Sequence, residues 1–374
     1  MADRVLITGG AGFIGSHLAD TLLARGCHVV ALDNLDPQVH PGGERPAYLD
    51  RSVELVVGDV RNPDTVARLI SSVDVVFHLA AAVGVGQSMY EVRRYADVNT
   101  VGAATLLEAI VSGRRELRKL VVASSMSVYG EGAYLCARHG RVDPPLRAEA
   151  QLAARDWEVR CPKCGAALDA TATPEDKRLA PASVYAVTKR DQEEMFLSVG
   201  TAYRIPTVAL RFFNIYGPRQ ALSNPYTGVA AIFCAQLLNR HAPLVFEDGR
   251  QSRDFIHVAD IVRACVLATE REEADYQVFN IGTGRSLSVR ELASILAGEL
   301  GWHGEPEVAN RYRAGDIRHC FADISRARQL LGFEPCVPFE DGVGELVGWV
   351  KTQERVADSV RSAADELAKR GLAR

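Results

Sequence analysis

Tyr185 and Lys189 stand four residues apart in Tyr185-Ala186-Val187-Thr188-Lys189, a spacing that places a phenol and an ammonium on one face of a helix. A free phenol titrates near 10, so a tyrosine that acts as a base close to neutrality needs positive charge beside it. Lys189 is one source, and an oxidised nicotinamide ring would be a second. Ser125 lies in Ser124-Ser125-Met126-Ser127-Val128-Tyr129-Gly130, at the end of a strand-like run. A hydroxyl there can share a short hydrogen bond with a substrate oxygen that gains or loses a proton. The Tyr-Lys spacing alone arises by chance in many helices. Joined to Ser125 and a dinucleotide loop, it describes a set for reversible oxidation of an alcohol, with Ser125, Tyr185 and Lys189 as catalytic residues.

The loop is Gly9-Gly10-Ala11-Gly12-Phe13-Ile14-Gly15, between an apolar strand and a helical pattern. A pyrophosphate can sit against a helix N-terminus only where the backbone turns tightly and no side chain intrudes, and Gly9, Gly12 and Gly15 meet that need. Asp33 ends the second strand, 18 residues beyond Gly15. Its carboxylate can accept from the adenosine ribose hydroxyls and would repel a 2′-phosphate, so NAD is expected rather than NADP. Asp59, in Gly58-Asp59-Val60, either reaches the adenine or simply turns the chain. Leu79-Ala80-Ala81 offers small residues where the cofactor would pass. Phe13, Ile14, Asn34, Val60, Asn99, Tyr185 and Lys189 complete the expected NAD wall.

These residues need a frame to bring them together. Apolar runs at 5–8, 28–32, 54–57, 73–79 and 120–124 alternate with amphipathic helical stretches, the pattern of a parallel sheet covered by helices on both faces. The expected fold is α/β: a Rossmann-type doubly wound parallel sheet, a smaller C-terminal α/β substrate domain and a Cys-rich insertion. The cofactor domain is assigned to 1–130, 183–216 and about 251–269, and the second domain to about 217–250 and 270–350. Residues 131–182, rich in Ala, Arg, Pro and Cys and without sustained periodicity, read as the insertion. A solvated charged helix is expected over 351–374.

With 374 residues, 47% of them hydrophobic, the chain can bury one large core and a smaller one. A net charge of −4 and a pI near 6.2 supply no global basic field for nucleic acid or an anionic membrane. Neither partner is expected, and an anionic ligand must be met by local arginines. No apolar run approaches a membrane span. Met1-Ala2-Asp3-Arg4 leads straight into an apolar run, so a cytoplasmic protein without a leader is expected.

Most of the eight cysteines sit in apolar runs, as buried thiols do. Cys136-Ala137-Arg138-His139 and Cys161-Pro162-Lys163-Cys164-Gly165 differ. They form a C-x2-H and C-x2-C arrangement that can close a tetrahedral structural zinc site with no open position for catalysis. Three-cysteine binding with another fourth ligand, or plain reduced thiols, are alternative readings, and a disulfide is disfavoured in a cytosolic protein.

Taken with Arg211-Phe212-Phe213-Asn214-Ile215-Tyr216-Gly217-Pro218-Arg219 and Arg253-Asp254-Phe255-Ile256-His257-Val258, these motifs make the chain resemble the extended short-chain dehydrogenase/reductase family, in its nucleotide-sugar epimerase and dehydratase branch, over about residues 3–350 apart from the insertion. The resemblance implies tightly held NAD, a nucleoside-diphosphate sugar as substrate and a homodimer built on helices after Asn99 and Tyr185. It implies substrate contacts from Ser125, Ser127, Asn214, Arg219, Arg253, Arg313 and Asp316, although for Arg219 and for Arg318 a surface salt bridge is an equal reading. The 4,6-dehydratases of the branch carry an Asp-Glu pair after the active hydroxyl. Met126 and Ser127 stand there in this chain and cannot serve as acid or base, which favours a 4-epimerase working through a transient 4-keto sugar. Residues 123–132, 224–229 and 315–320 resemble the dTDP-L-rhamnose 4-epimerase type. A UDP-sugar 4-epimerase, a nucleotide-sugar dehydrogenase, decarboxylase or reductase, and an NAD-binding scaffold remain as alternatives.

Overall fold

The computed structural model of the chain describes residues 3–113, 116–222, 224, 226, 228–353, 358 and 360–374. Pro225 and Thr227 of the 224–229 motif, and 354–357 and 359 of the expected tail, lie outside them. Strands β1 (Arg4–Thr8), β2 (His28–Asp33), β3 (Glu54–Val57), β4 (Val75–His78) and β5 (Lys119–Ser125) join Thr207–Phe212 and Gln277–Ile281 in a seven-stranded parallel sheet. From one edge the order is Gln277–Ile281, Thr207–Phe212, β5, β4, β1, β2, β3. The chain runs outward from β1 through β2 and β3, then returns to β4 on the other side of β1. The carboxyl ends of β1 and β4 therefore flank the crevice where such sheets bind ligands.

The inner strands are apolar on both faces because both are covered. Leu6, Val30, Val76 and Leu120 pack with the helices Pro63–Ile70 and Gly102–Ser112. Ile7, Ala31, Phe77 and Val121 share the opposite core with the helices Phe13–Ala24 and Val258–Glu270. Gln277–Ile281 pairs in register with Thr207–Phe212, Val278 opposite Ala209 and Ile281 opposite Phe212. It thus completes the cofactor sheet, although the sequence boundary placed about 270–350 in the second domain. A short apolar run does not announce which sheet it will join.

The second domain has its own core, made by the helices Val229–Leu238, Val289–Glu299 and Phe339–Lys351. Within residues 131–182, Ala133–Cys136 forms the middle of a three-stranded antiparallel sheet with Gly140–Val142 and Asp169–Thr171. Its core is only Tyr134, Cys136, Val142, Val159, Cys161 and Leu168, far less than an independent domain requires.

Charge ties this unit to the second domain. Buried Arg147 donates in a fork to both Glu247 carboxylate oxygens, each at 2.9 Å. Arg318, fully buried, donates to Glu158 at 2.6 Å and Asp248 at 2.7 Å, and its backbone N–H donates to Glu131 at 2.9 Å.

The tail departs from the solvated helix expected of it. The helix Val360–Lys369 buries Ala364 and Leu367, and Leu367 lies against Gly86, where an added Cβ would meet its Cδ1 at 3.3 Å. The chain end pairs with Tyr312–Ala314 through Tyr312 N to Arg374 O at 2.9 Å and Ala314 N to Leu372 O at 2.8 Å. Two apolar residues within a charged stretch are too weak a period to predict that docking. No described helix is long and apolar enough to cross a membrane.

Candidate active site

The glycine loop lies at the end of β1 and closes on the segment after β4. Gly9 has φ +71°, and an added Cβ would come within 2.9 Å of Ala80 N. At Gly15 the same atom would lie 2.3 Å from Gly9 O. Gly10, which the G-x-x-G-x-x-G spacing passes over, is as constrained, with Ala31 Cβ only 2.5 Å away; the packing of loop on β2 carries no sequence signal. Gly12 caps the helix Phe13–Ala24 without a side-chain hydrogen bond, so no side chain competes with an anion for its first-turn N–H groups.

Asp33 is buried beside this loop, accepting from Ala11 N and Leu35 N, each at 3.0 Å. Asn34 donates to Asp59 at 3.2 Å. Arg61, by its hydrogen bonds, holds the Asp59 carboxyl down at about 2, and its backbone N–H donates to Asp59 at 2.9 Å, the geometry of a turn. Val60 packs into the helical layer against Gly102.

Asn99 is consumed behind the expected cofactor wall. Its side chain accepts from Ala82 N at 2.7 Å and donates to Ala82 O at 3.1 Å and Thr188 Oγ at 2.9 Å, tying the segment after Ala80-Ala81 to the Tyr-Lys helix. A tight glycine cradle, a free helix N-terminus and a carboxylate at the end of β2 fit a dinucleotide.

The helix Val184–Tyr203 starts at Ser183, whose hydroxyl accepts from Ala186 N at 3.2 Å. This cap sets Tyr185 in the first turn, facing the end of β5. Burial pushes the Tyr185 phenol up to about 12, and a hydrogen bond with Ser125 opposes that rise. Burial also brings the Lys189 ammonium down to about 7.

Ser127 supports Ser125, donating to its Oγ from its own Oγ at 2.9 Å and from its N–H at 3.2 Å. Ser124 points the opposite way, as strand alternation requires, and donates to buried Glu193 at 2.6 Å, which also holds Arg211. Met126 is buried against Val128, Tyr129 and Phe213. The positions after Ser125 thus hold a thioether and a hydroxyl, with no carboxyl.

Among the expected substrate contacts, Asn214 has a buried side-chain oxygen without a partner among the described residues. Arg253 is fixed by the carbonyls of Ser252, Ile317 and Arg318 at 2.8–3.0 Å. Arg313 pairs with Asp316 at 2.8 Å and stacks 4.6 Å over the Phe246 ring. Two arginines are committed elsewhere. Arg219 pairs with Asp20 at 2.7 Å and lies 5.4 Å over Tyr48, against the cofactor domain, because Gly217 at φ +150° and Arg219 at φ +67° turn the chain that way. Arg318 is enclosed by Glu158, Glu247 and Asp248 and offers nothing to a phosphate.

Away from the crevice, Cys136, His139, Cys161 and Cys164 each turn one ligand atom toward a common point, all within 4.8 Å of one another. Cys136 Sγ is 3.8 Å from Cys164 Sγ and 3.4 Å from His139 Nδ1, and Cys161 Sγ is 3.5 Å from the same nitrogen. A tetrahedron with zinc–sulfur bonds of about 2.3 Å has edges of about 3.8 Å. The two knuckles share one form, with Gly140 at φ +66° and Gly165 at φ +73° after the second ligand.

Comparison with known proteins agrees with this geometry. The model of the NAD dependent epimerase/dehydratase family matches residues 5–148, and that of GDP-mannose 4,6 dehydratase matches 165–346. A dTDP-L-rhamnose 4-epimerase of Burkholderia thailandensis is 38% identical over 349 residues, 93% of this chain and 94% of its own. The chain belongs to the NAD-dependent epimerase/dehydratase family. It is an enzyme of the isomerase class within it. A UDP-glucose 4-epimerase of Mycolicibacterium smegmatis is 34% identical over 94% of this chain and all of its own. The crystal structure of UDP-glucuronic acid 4-epimerase from Bacillus cereus, in complex with UDP-glucuronic acid and NAD, superposes with a TM-score of 0.76 at 29% identity, covering 93% of this chain and 99% of that one. The dehydratase match covers the half of the chain after Met126 and Ser127, so it does not bear on the positions that distinguish dehydration.

Proposed function

We propose that the chain is a cytoplasmic nucleotide-sugar 4-epimerase that interconverts dTDP-L-rhamnose and dTDP-6-deoxy-L-talose. One observation carries the reading: Tyr185 stands at the end of β5 beside Ser125, on the helix that carries Lys189 one turn on, while the neighbouring Met126 and Ser127 hold no acid or base. Ser125 aligns the 4-hydroxyl, and Tyr185 takes its proton with Lys189 stabilising the phenolate. NAD, held by the glycine loop and Asp33, would accept hydride from C4 and return it. The 4-keto sugar then presents its other face, and Tyr185 returns the proton. Asn214, Arg253 and Arg313 with Asp316 grip the nucleoside diphosphate. The choice of sugar is supported by the 38% identity to the Burkholderia enzyme. Incubating the enzyme with dTDP- and UDP-sugars and following C4 by NMR tests this. Inversion without net NADH supports it, whereas NADH accumulation or no inversion of any sugar overturns it.

Structural zinc in the four-ligand group belongs to the same proposal, supported by the gathering of all four ligand atoms within 4.8 Å of one another and by the Cys136–Cys164 spacing, which matches a tetrahedral edge. Elemental analysis finding no metal in the purified chain would remove it. A homodimer is supported by Val101 and Val187, left 48% and 43% exposed along the two neighbouring helical segments.

A further inference from the structure

The two outer residues of the polar stretch Asp191-Gln192-Glu193 are accounted for: Asp191 accepts from Thr100 and Glu193 binds Ser124 and Arg211. Gln192, fully buried between them, is not a usual core residue. Its side-chain oxygen accepts from Lys189 Nζ at 2.7 Å. Its amide nitrogen donates to Asn99 O at 3.0 Å and lies 3.1 Å from His78 Nε2. His78 Nδ1 lies 2.9 Å from Thr8 Oγ, which also accepts from Ala80 N at 3.3 Å.

The polarity of this chain is determined throughout. A backbone carbonyl can only accept, so the Gln192 atom facing Asn99 must be the amide nitrogen, and its oxygen therefore faces the lysine. The second amide hydrogen meets His78 Nε2, which then accepts, placing the imidazole proton on Nδ1 toward Thr8. Burial and the Lys189 charge bring His78 down to about 3, so it remains neutral and fit for this role. Thr8 directly precedes Gly9. One line of hydrogen bonds therefore runs from the lysine to the root of the glycine loop.

We propose that Gln192 is the positioning residue of the active site: its carbonyl holds the Lys189 ammonium, one helical turn on from Tyr185, without neutralising it, and His78 and Asn99 keep that carbonyl aimed. A carboxylate at the same place would also hold the lysine, but its negative charge would cancel the field at Tyr185 and disfavour the phenolate. An apolar side chain would leave a buried ammonium with no acceptor, and the lysine would lose its proton or its place. The other groups around Lys189 are His78 from β4, Asn99 beside the helix, Tyr185 on the helix and, through it, Ser125 from β5. Glu193 is spent on Arg211 and Ser124.

The inference rests on the reading of Tyr185 as the base, so its test separates the two. In the full chain with NAD bound, the Tyr185 phenolate is titrated by ultraviolet absorption against a Tyr185→Phe blank, for the unsubstituted chain, Gln192→Glu and Gln192→Met. Both substitutions should raise the Tyr185 titration by about one pH unit or more. The isosteric Gln192→Glu keeps the test open if Gln192→Met folds poorly. With dTDP-L-rhamnose, kcat should fall at least ~10-fold while KM stays within about twofold, because Gln192 lies behind the lysine and not against the sugar. An unchanged titration in either folded variant overturns the positioning role. Raised titrations alongside an unsubstituted chain that inverts no sugar would leave positioning standing and defeat the proposed function.

Discussion

The inner part of the sheet that carries Ser125 and the unit that follows it, residues 131–182, are held by different forces. Around β5, Leu120, Val121 and Val122 are buried on both faces under helices, and the energy is apolar area removed from water, which involves no charge pairing to be screened and responds only weakly to pH. The 131–182 unit has six buried core residues, and it is joined to the second domain by Arg147 and Arg318 among Glu131, Glu158, Glu247 and Asp248. Such a cluster stabilises through pairing, so removing one member strands the rest in low dielectric. The difference teaches where each region will yield: the sheet to lost volume, the unit to lost charge or lost ligands.

The largest effect should come from the sheet side. Tyr185→Phe is expected to lower kcat by about 10³-fold or more while the melting temperature stays nearly constant, as inversion rates and thermal melts would show. On the other side, Arg318→Met should cost about 3–5 kcal/mol in denaturant unfolding. Hydrogen exchange should then accelerate in 131–182 and 247–248 before it does in β1, β4 and β5. If all strands loosened together, the two regions would be one cooperative unit. Cys161→Ser with Cys164→Ser should abolish bound metal and bring similar, smaller exchange gains confined to 131–182, with the sheet unmoved.

Acid sharpens the contrast further. The His319 ring and then the Arg318 guanidinium hold Glu158 down at about 2. A depressed carboxyl contributes stability that is fully present above its ordinary value near 4.5 and is lost as pH falls through that window toward 2. Amide exchange measured down this range should show the 131–182 unit opening ahead of β5. The smallest effect belongs to exposed pairs: Arg190→Ala, which breaks the bond to Glu194 one turn on, should change stability by less than about 0.5 kcal/mol.

The candidate active site was legible because its parts are local patterns. Gly9, Gly12 and Gly15 after an apolar strand, Asp33 at the end of the next, and Tyr185 and Lys189 one turn apart each declare themselves within a few residues. Period and spacing are properties of the chain before it folds. The Cys136, His139, Cys161 and Cys164 set was legible for the same reason, as two short knuckles. What lay hidden depends on contacts distant in sequence. Nothing near Arg318 or Arg219 distinguishes a phosphate ligand from an ion pair; Glu158 and Asp20, far along the chain, decide it. Gln277–Ile281 found its sheet only by pairing with Thr207–Phe212, and Leu367 found Gly86. Gln192 gave no sign of its reach to Lys189, His78 and Asn99, because three elements must converge before a buried amide acquires a direction. The sequence by itself determined which chemistry the chain carries, since reactive groups and their local spacing are written in it. Tertiary structure alone decided which charges face a ligand and which are sealed away, since that depends on what the fold brings opposite them.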